Sequence, residues 1–483
     1  MSKNLIKGKI FVPGGIVSPG ELRRLASTCV HFGIPHLHLG KRQEILVQFD
    51  ESRKKDLGVR FSNLQYKFQA GTFSQANIVS SSCMRSIDSG RKWLSEGVYR
   101  EVISSFTFEP SIKINICDPL QGLFPLFGGK LNFIASEFQN YWHLYILNST
   151  KKSLYEWPVL VDSKEIAHIS FEIEKILKEN PVIDLKDLEK RVYNVKEWTF
   201  RIITEKPDFK PNRFFYYEGI HPMGEKKYWL GIFERLNQYP VQFMEAVAAL
   251  CGQTDIGAIH ITPYKSLLIK NIAEKDLILW ENLLGKFKIN TGHSELEVNF
   301  ILPDLDKEAY NLRKAIFDHF DNTEVRSEGL VFSLHSDPSF ISGASVMVEK
   351  VVKGKIGPFA LHHSYKIRYK KDFNPNSFET ITFSEFVKKR DVPGVLRYIC
   401  EKYYEQRQAI QEKKSAPKKI VEERKEFYAC STCLTEYDEQ YGDSYNGILP
   451  GIPFSMLPDN YKCPVCEAAK SNFFKIAGEQ IEA

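Results

Sequence analysis

The sequence has little of what marks a secreted or membrane-bound protein. Its 483 residues include nine cysteines, too few for a disulfide scaffold. No apolar run approaches the roughly 18–20 residues that cross a bilayer. The first residues, MSKNLIKGKIFVPGG, lack the apolar core of a signal peptide. We therefore expect a cytoplasmic protein that does not bind a membrane.

Several binding and catalytic motifs are also absent. The sequence has no GxxxxGKS/T and no GxGxxG after a strand, so a P-loop and bound NAD or FAD are not indicated. It has no GxSxG and no HExxH, the motifs of two hydrolase classes. It has no dense Lys/Arg stripe with interleaved aromatic residues, so we expect no nucleic-acid partner.

Charge is distributed unevenly along the chain. The whole sequence carries a net charge of +5. Residues 428–483 hold three lysines and eight acidic residues, a net of −5, which leaves +10 for residues 1–427. A basic body can attract this acidic tail, another acidic partner or a polyanionic ligand. Two solvated surfaces of different composition are the alternative interpretation.

A charged segment joins the two parts. Residues 401–427 are rich in Lys and Glu, and Ser415, Ala416 and Pro417 interrupt any helix that enters them. We predict a linker at 411–427, between a large part that ends near residue 410 and a small domain at 428–483.

The small domain contains two C-x-x-C pairs. Cys430 and Cys433 form the first pair, and Cys463 and Cys466 form the second after an intervening 29 residues. Each pair can wrap one turn around a metal and donate two thiolates. Together they predict a tetrahedral site with four sulfur ligands, which suits iron or zinc.

The residues around these pairs closely resemble rubredoxin. The resemblance covers about residues 428–474, and the matching positions are Tyr428, C-S-T-C, Tyr437-Asp438, Gly442-Asp443, Asn446-Gly447, Pro450-Gly451, Phe454, Leu457-Pro458-Asp459, C-P-V-C, Lys470 and Phe473. It implies one iron held by four cysteines and a one-electron carrier. Aromatic side chains would shield the metal from water, namely Tyr428, Tyr437, Phe454, Tyr461 and Phe473.

The small domain departs from this family at two kinds of position. Leu434 and Glu467 stand where the family usually has glycine after each pair, and these positions tend to need a positive φ. Tyr461 stands in place of the family's tryptophan. No ligand is lost, and a structural zinc site remains the alternative to iron.

The N-terminal part contains a repeat. Ser18, Pro19 and Glu21 predict a helix start, and Leu22, Leu25, Ala26, Cys29 and Val30 are predicted to share one face of that helix. The pattern returns 222 residues later, where Cys251 matches Cys29 and His260 matches His38. INICDP (114–119) likewise matches FSLHSDP (332–338). We therefore predict two α+β units, at 1–200 and 201–410.

These units resemble the duplicated half domains of siroheme-dependent nitrite and sulfite reductases. The resemblance rests on LRRLASTCVHFGIPHLHLGKRQEILVQF and MEAVAALCGQTDIGAIHITPYKSLLIKNI. The fold class that follows is α+β, with two nitrite/sulfite reductase-like units followed by a small rubredoxin-like metal-binding domain.

The resemblance identifies candidate anion-binding residues and shows that the cysteine ligands of an iron–sulfur cluster are missing. Arg42 falls on the family's siroheme-contacting arginine, and Lys113 falls near a lysine that faces the substrate. With Lys41 and Arg85 they could hold siroheme carboxylates or a small anion; ordinary surface cations are the alternative. The paired cysteines for a [4Fe–4S] cluster are absent from the second copy, so we expect no such cluster.

Together the resemblances imply an electron carrier rather than a complete reductase. The body is expected to dock or regulate a redox partner in nitrogen or sulfur assimilation. Expected partners are an upstream reductase and an acceptor such as a nitrite or sulfite reductase. Two alternatives stay open: a siroheme-containing reductase with a fused electron donor, and a non-redox assembly factor with a zinc site.

Overall fold

The computed structural model describes residues 4–88, 90–148, 153–204, 214–335, 343–356, 359–415 and 426–477. The chain divides into two compact units, Met1–Tyr404 and Glu405–Ala483, which we call the body and the C-terminal unit. None of the described helices is both long enough and apolar enough to span a membrane.

The first half of the body alternates short strands and helices. In chain order these are β1 (Leu5–Ile10), β2 (Ile16–Val17), α1 (Pro19–His31), β3 (His36–Leu39), β4 (Ile45–Asp50), α2 (Lys54–Asn63), β5 (Phe68–Ala70), β6 (Val79–Ser80), α3 (Glu96–Ser104), β7 (Ile114–Cys117), β8 (Leu131–Ala135), β9 (Tyr141–Asn148), β10 (Ser153–Glu156), β11 (Val159–Asp162), α4 (Ile166–Glu179), α5 (Leu185–Tyr193) and β12 (Phe200–Ile202).

The second half repeats much of this order. Its elements are β13 (Gly219–Gly224), β14 (Lys227–Phe233), β15 (Tyr239–Pro240), α6 (Val241–Gln253), β16 (Ile259–Ile261), β17 (Ser266–Ala273), α7 (Leu277–Phe287), α8 (Glu295–Val298), β18 (Phe300–Ile301), α9 (Lys307–Asn322), β19 (Phe332–Leu334), β20 (Val346–Ile356), β21 (Phe359–Lys370), β22 (Thr380–Val387) and α10 (Val392–Ser415). Helix α10 thus continues past Tyr404 and ends inside the predicted linker, of which residues 416–425 lie outside the described residues.

The start of α1 follows from its sequence. The Ser18 hydroxyl accepts a hydrogen bond from the backbone N–H of Glu21 at 3.2 Å, and the Glu21 carboxylate accepts one from the backbone N–H of Ser18 at 2.9 Å. This reciprocal pair satisfies two N–H groups that a helix start would otherwise leave unpaired. The predicted apolar face is buried except at Val30, which is 49% exposed because it lies at the edge of that face.

Strand order confirms the duplication. Two five-stranded sheets have the orders β15-β3-β4-β1-β5 and β13-β14-β17-β16-β2. The register repeats with the 222-residue offset, since Ile10 pairs with Ile45 and Ile232 pairs with Leu267. In the other two sheets, β6-β7-β8 and β18-β19-β20 are parallel runs, and each is followed by an antiparallel strand. INIC and FSL are therefore equivalent strands.

The two halves exchange short strands. Strand β2 of the first half pairs with β16 of the second, with Val17 opposite Ile259. Strand β15 of the second half pairs with β3 of the first, with Tyr239 opposite Leu37. One apolar core includes α1, α6 and both of these sheets. Because each half completes the other's sheet and core, we expect the halves to fold as one body.

Candidate metal centre and body cavity

The C-terminal unit is built on a three-stranded sheet. Strand β23 (Glu426–Cys430) pairs with β24 (Glu436–Tyr437) on one side and with β25 (Phe473–Ala477) on the other. The predicted aromatic cluster is present on this sheet: the rings of Tyr428 and Phe454 stack at 4.2 Å between centroids, and Tyr437, Tyr461 and Phe473 surround them. The sheet and the cluster fix the position of Cys430 at the end of β23.

The structure brings the four predicted cysteines together. Their Sγ atoms all lie within 4.8 Å of one another. Cys430 Sγ is 3.6 Å from Cys466 Sγ, and Cys433 Sγ is 3.5 Å from Cys463 Sγ. Four sulfurs about 2.3 Å from a common centre are about 3.8 Å apart in a tetrahedron. The sulfur set therefore fits one tetrahedral iron or zinc ion, with the pairing across the two C-x-x-C motifs that such a site needs.

Backbone hydrogen bonds hold the two cysteine turns in matching shapes. The Leu434 N–H donates to the Cys430 carbonyl at 2.8 Å, and the Glu467 N–H donates to the Cys463 carbonyl at 3.0 Å. Leu434 and Glu467 adopt φ of 60° and 55°, the left-handed conformation predicted for them. The chain thus keeps the turn geometry without the glycines that favour it.

The four thiols differ in environment. Cys430 and Cys463 are buried, whereas Cys433 and Cys466 are half-buried, so one side of the centre lies near the surface. The Cys433 sulfur lies 3.0 Å from the Thr435 hydroxyl, and hydrogen bonds from that hydroxyl and from the Thr435 backbone lower the pKa of Cys433 to about 6. A thiol that ionises readily is prepared to bind a metal.

The remaining cysteines belong to the core of the body. Burial raises the pKa of Cys29, Cys83 and Cys251 to about 12, and burial raises the pKa of Cys117 and Cys400 as well. These thiols stay protonated at neutral pH. Within the described part of the chain, the one group of three or more potential metal-binding side chains is the C-terminal cysteine set.

Two of the four predicted basic residues of the body line one cavity. Lys41 and Arg42 line a cavity of about 260 Å³ between the two halves of the body. Its described lining residues do not include Arg85 or Lys113. The Arg85 carbonyl accepts a hydrogen bond from the Lys270 ammonium at 3.1 Å, and the Lys113 carbonyl accepts one from the Lys130 N–H at 2.7 Å.

Arg42 is engaged by the protein itself. Its buried guanidinium donates to the carbonyls of Asn77 at 2.8 Å and Ile114 at 2.9 Å, and to the side-chain oxygen of Asn115 at 3.1 Å. It makes two further, longer bonds at 3.2 and 3.5 Å, the second to the Gly128 carbonyl. These five bonds use the donor capacity of a guanidinium. Arg42 therefore stabilises the segments around the cavity by hydrogen bonding to them.

The described residues of this cavity do not offer siroheme the contact that the resemblance implies. The arginine expected to hold siroheme carboxylates makes its hydrogen bonds to protein oxygens instead.

His335 and Asp306, which meet at this cavity, are not among the site residues predicted from the sequence. His335 lines it, and its ring Nδ1 lies 2.9 Å from Oδ2 of Asp306, the residue that caps α9. The available signal was His335 itself, which stands in the repeated FSLHSDP motif directly after a buried strand.

The C-terminal unit and the body are each similar to known proteins. A family model described as Rubredoxin matches residues 427–473. Rubredoxin 4 of Rhodococcus sp. (strain Q15) is 43% identical over 54 residues, which cover 11% of this chain and 90% of that protein. The probable rubredoxin HupJ of Rhodobacter capsulatus is 46% identical over 44 residues, 9% of this chain and only 16% of that protein's length.

The body is similar to a solved structure. The structure of the Mycobacterium tuberculosis NirA protein matches with a TM-score of 0.63 and 11% sequence identity, over 83% of this chain and 81% of that one. At this identity the likeness shows the fold alone. The body thus has the nitrite/sulfite reductase-like fold that the sequence resemblance predicts.

Proposed function

Since the chain belongs to the rubredoxin family through its C-terminal residues 427–473, we propose that it is an electron-transfer protein whose four cysteines hold one iron. The observation that carries this proposal is the cluster of Sγ atoms from Cys430, Cys433, Cys463 and Cys466, all within 4.8 Å of one another. Iron bound by four thiolates supplies a one-electron couple.

The surroundings of the cysteines suit electron transfer. The backbone hydrogen bonds in both turns hold the sulfurs in place, so a change of charge at the centre requires little movement of the ligands. Cys433 and Cys466 lie on the more exposed side, and the neighbouring side chains of Leu434 and Val465 are exposed. We propose that a redox partner approaches this side, where the path from metal to surface is short.

The body is proposed to dock or regulate that partner. Its fold is that of a nitrite/sulfite reductase-like protein, yet the arginine expected to hold siroheme carboxylates is engaged by protein oxygens, and its second half lacks the cysteine pairs of a cluster. The net charge of +10 on residues 1–427 favours an acidic partner. The partners that we propose are an upstream reductase and a nitrite or sulfite reductase as acceptor.

Metal content and redox stoichiometry test the proposal. The full chain is expressed in an iron-replete host that makes siroheme, then assayed for metals, visible absorption and electrons taken up per chain. We expect one iron, an absorption that dithionite bleaches, one electron and no siroheme band. Cys466→Ser should lose the iron, while the control Cys251→Ala, in the body core, should retain it.

Two results would overturn the proposal. One zinc per chain in an otherwise colourless protein would make the cysteine site structural. A stoichiometric siroheme band would favour a reductase with a fused electron donor. For the partner, reduced protein is mixed with a purified nitrite or sulfite reductase and its reoxidation is followed. We expect this transfer to slow as salt rises, and transfer that salt does not affect would contradict charge-guided docking.

A further inference from the structure

The cavity in the body combines an apolar wall with a positively charged end. Its apolar lining comes from both halves and consists of Val79, Pro125, Pro263, Ile301, Leu302, Pro303 and Leu334. Its charged lining consists of Lys41 and Arg42, and none of the described lining residues is acidic. A cavity with this lining favours a molecule that has both an apolar part and a negative charge.

His335 adds a specific polar contact to this wall. Its side chain is only 7% exposed, and Nδ1 is paired with the Asp306 carboxylate at 2.9 Å. The ring stacks on Tyr365 with 5.8 Å between centroids and 24° between planes. A carboxylate on one ring nitrogen fixes the orientation of an imidazole.

The other nitrogen of His335, Nε2, is buried and has no hydrogen-bond partner among the described residues. Twelve buried side-chain atoms of the described residues have no partner, and the His335 atom is the one of them that belongs to a residue lining the cavity. Buried polar atoms are usually paired, so this atom calls for an explanation. His335 also adopts a φ of 49°, which is unusual for a residue other than glycine and is more frequent at binding sites. Because His335 lines the cavity, a ligand bound there can supply the missing partner.

Asp306 is fixed independently of His335. It caps α9, where its Oδ1 accepts hydrogen bonds from the N–H groups of Glu308 and Ala309 at 3.0 and 3.1 Å. The other oxygen, Oδ2, is the one that faces His335. The helix start therefore holds the carboxylate, and the carboxylate holds the imidazole. This arrangement resembles a prepared binding group more than a flexible surface pair.

We propose that this cavity binds a small organic anion, a carboxylate with a compact apolar body of about ten non-hydrogen atoms. His335 donates a hydrogen bond from Nε2 to the carboxylate, the positive charges of Lys41 and Arg42 stabilise it, and the apolar wall encloses the rest. Arg42 acts through its charge, since its N–H groups are engaged by the protein. The proposal does not depend on the function of the cysteine site.

Binding of benzoate to the full chain tests the proposal, with benzamide as a neutral molecule of the same shape. Titration calorimetry should give benzoate at least a tenfold tighter Kd than benzamide, because only benzoate has a charge to pair. His335→Asn should weaken benzoate binding roughly tenfold and leave benzamide nearly unchanged. His168→Asn, at an exposed position on α4, is the matched control and should bind benzoate as the unmodified chain does.

A second measurement does not rely on a variant that could misfold. In the unmodified chain labelled with ¹⁵N-histidine, benzoate should shift the ring signals of one of the twelve histidines. The signal that moves should be the one absent from spectra of folded His335→Asn. Equal affinity for benzoate and benzamide, or benzoate binding that moves no histidine signal, would overturn the proposal. So would the absence of benzoate binding.

Discussion

The Tyr461 hydroxyl donates a 2.8 Å hydrogen bond to Oδ2 of Asp443, beneath the cysteine turns. The same carboxylate accepts hydrogen bonds from the side-chain amide of Asn446 at 2.7 Å and from the backbone N–H of Tyr445 at 3.0 Å. Tyr461, in the position of the family's tryptophan, thus gives the aromatic core a polar contact. It connects the core to the Asp443–Ile448 turn.

This relationship predicts an acid-sensitive C-terminal unit. Burial alone would raise the pKa of Asp443, but hydrogen bonds from Asn446 and Tyr461 outweigh it and hold that pKa below its usual value. A lowered pKa stabilises the fold above the unfolded pKa of about 4, and the stabilisation is lost as the pH falls through the folded pKa. Asp443→Asn should therefore lower the thermal midpoint of the iron absorption at pH 7, and the difference should shrink as the pH falls below about 4.

Asp459→Asn is the control for this experiment. It removes the same charge from an exposed position, and we expect its midpoint to follow that of the unmodified protein at every pH. A loss of stability in Asp443→Asn that is the same at pH 3 and pH 7 would show that the amide simply fits the turn badly, and would contradict a role for the ionised carboxylate.

The contact between Cys433 and Thr435 predicts a change in reduction potential. A hydroxyl that donates to a ligand sulfur stabilises the reduced, more negative centre. Thr435→Val removes this donor and keeps the shape of the side chain. Loss of one such bond costs about 1 kcal/mol, or about 40 mV for one electron, so the potential should fall by roughly that amount.

Thr432→Val serves as the matched control in a redox titration of the iron-loaded chain. Thr432 is exposed in the same turn, and its substitution leaves the backbone N–H groups in place. We expect its potential to stay within ~10 mV of the unmodified value, well inside the effect of one hydrogen bond. Equal shifts of the reduction potential in both variants would show that the general polarity of the turn, and not the hydrogen bond from Thr435, causes the effect.

The two turn residues with positive φ predict an increase in stability. Leu434 and Glu467 hold left-handed conformations that cost a non-glycine residue about 1 kcal/mol, and both side chains are exposed. Leu434→Gly and Glu467→Gly should each raise the free energy of unfolding of the C-terminal unit by about 0.5–1 kcal/mol, measured by denaturant titration. Glu436→Gly, at an exposed position in β24, should instead lower it by a similar amount.

A feature can be predicted from the sequence when the residues that form it are close together in the chain. The metal site is predictable because each C-x-x-C pair forms a single turn, and the aromatic cluster is predictable from the family resemblance. The duplication is visible because Cys29 and Cys251 share an offset with their neighbours. The exchanged strands β2 and β15 are not predictable in this way, since each has two residues and its pairing depends on the other half.

The cavity shows more clearly which contacts cannot be predicted from the sequence. His335 and Asp306 are 29 residues apart and meet only through tertiary packing, so no spacing rule finds them. The position of Arg42 matches the family pattern, but the oxygens that occupy its guanidinium come from three separate segments of the chain. A residue type at a familiar position therefore does not establish its role when its partners are distant in sequence.

A substitution of Arg42 can show whether this residue stabilises the fold of the body or holds a ligand directly. Arg42→Met would remove the hydrogen bonds that Arg42 donates to the carbonyls of Asn77 and Ile114 and to the amide oxygen of Asn115. Each buried oxygen left without a donor costs about 1–3 kcal/mol, so the thermal midpoint of the body should fall by several degrees in calorimetry. The iron absorption of the C-terminal unit should be unchanged at 25 °C.

Arg53→Met, at an exposed position, is the control and should leave the thermal midpoint of the body unchanged. An Arg42→Met protein with an unchanged midpoint would mean that these hydrogen bonds do not brace the body, and Arg42 would again be a candidate for holding a ligand directly.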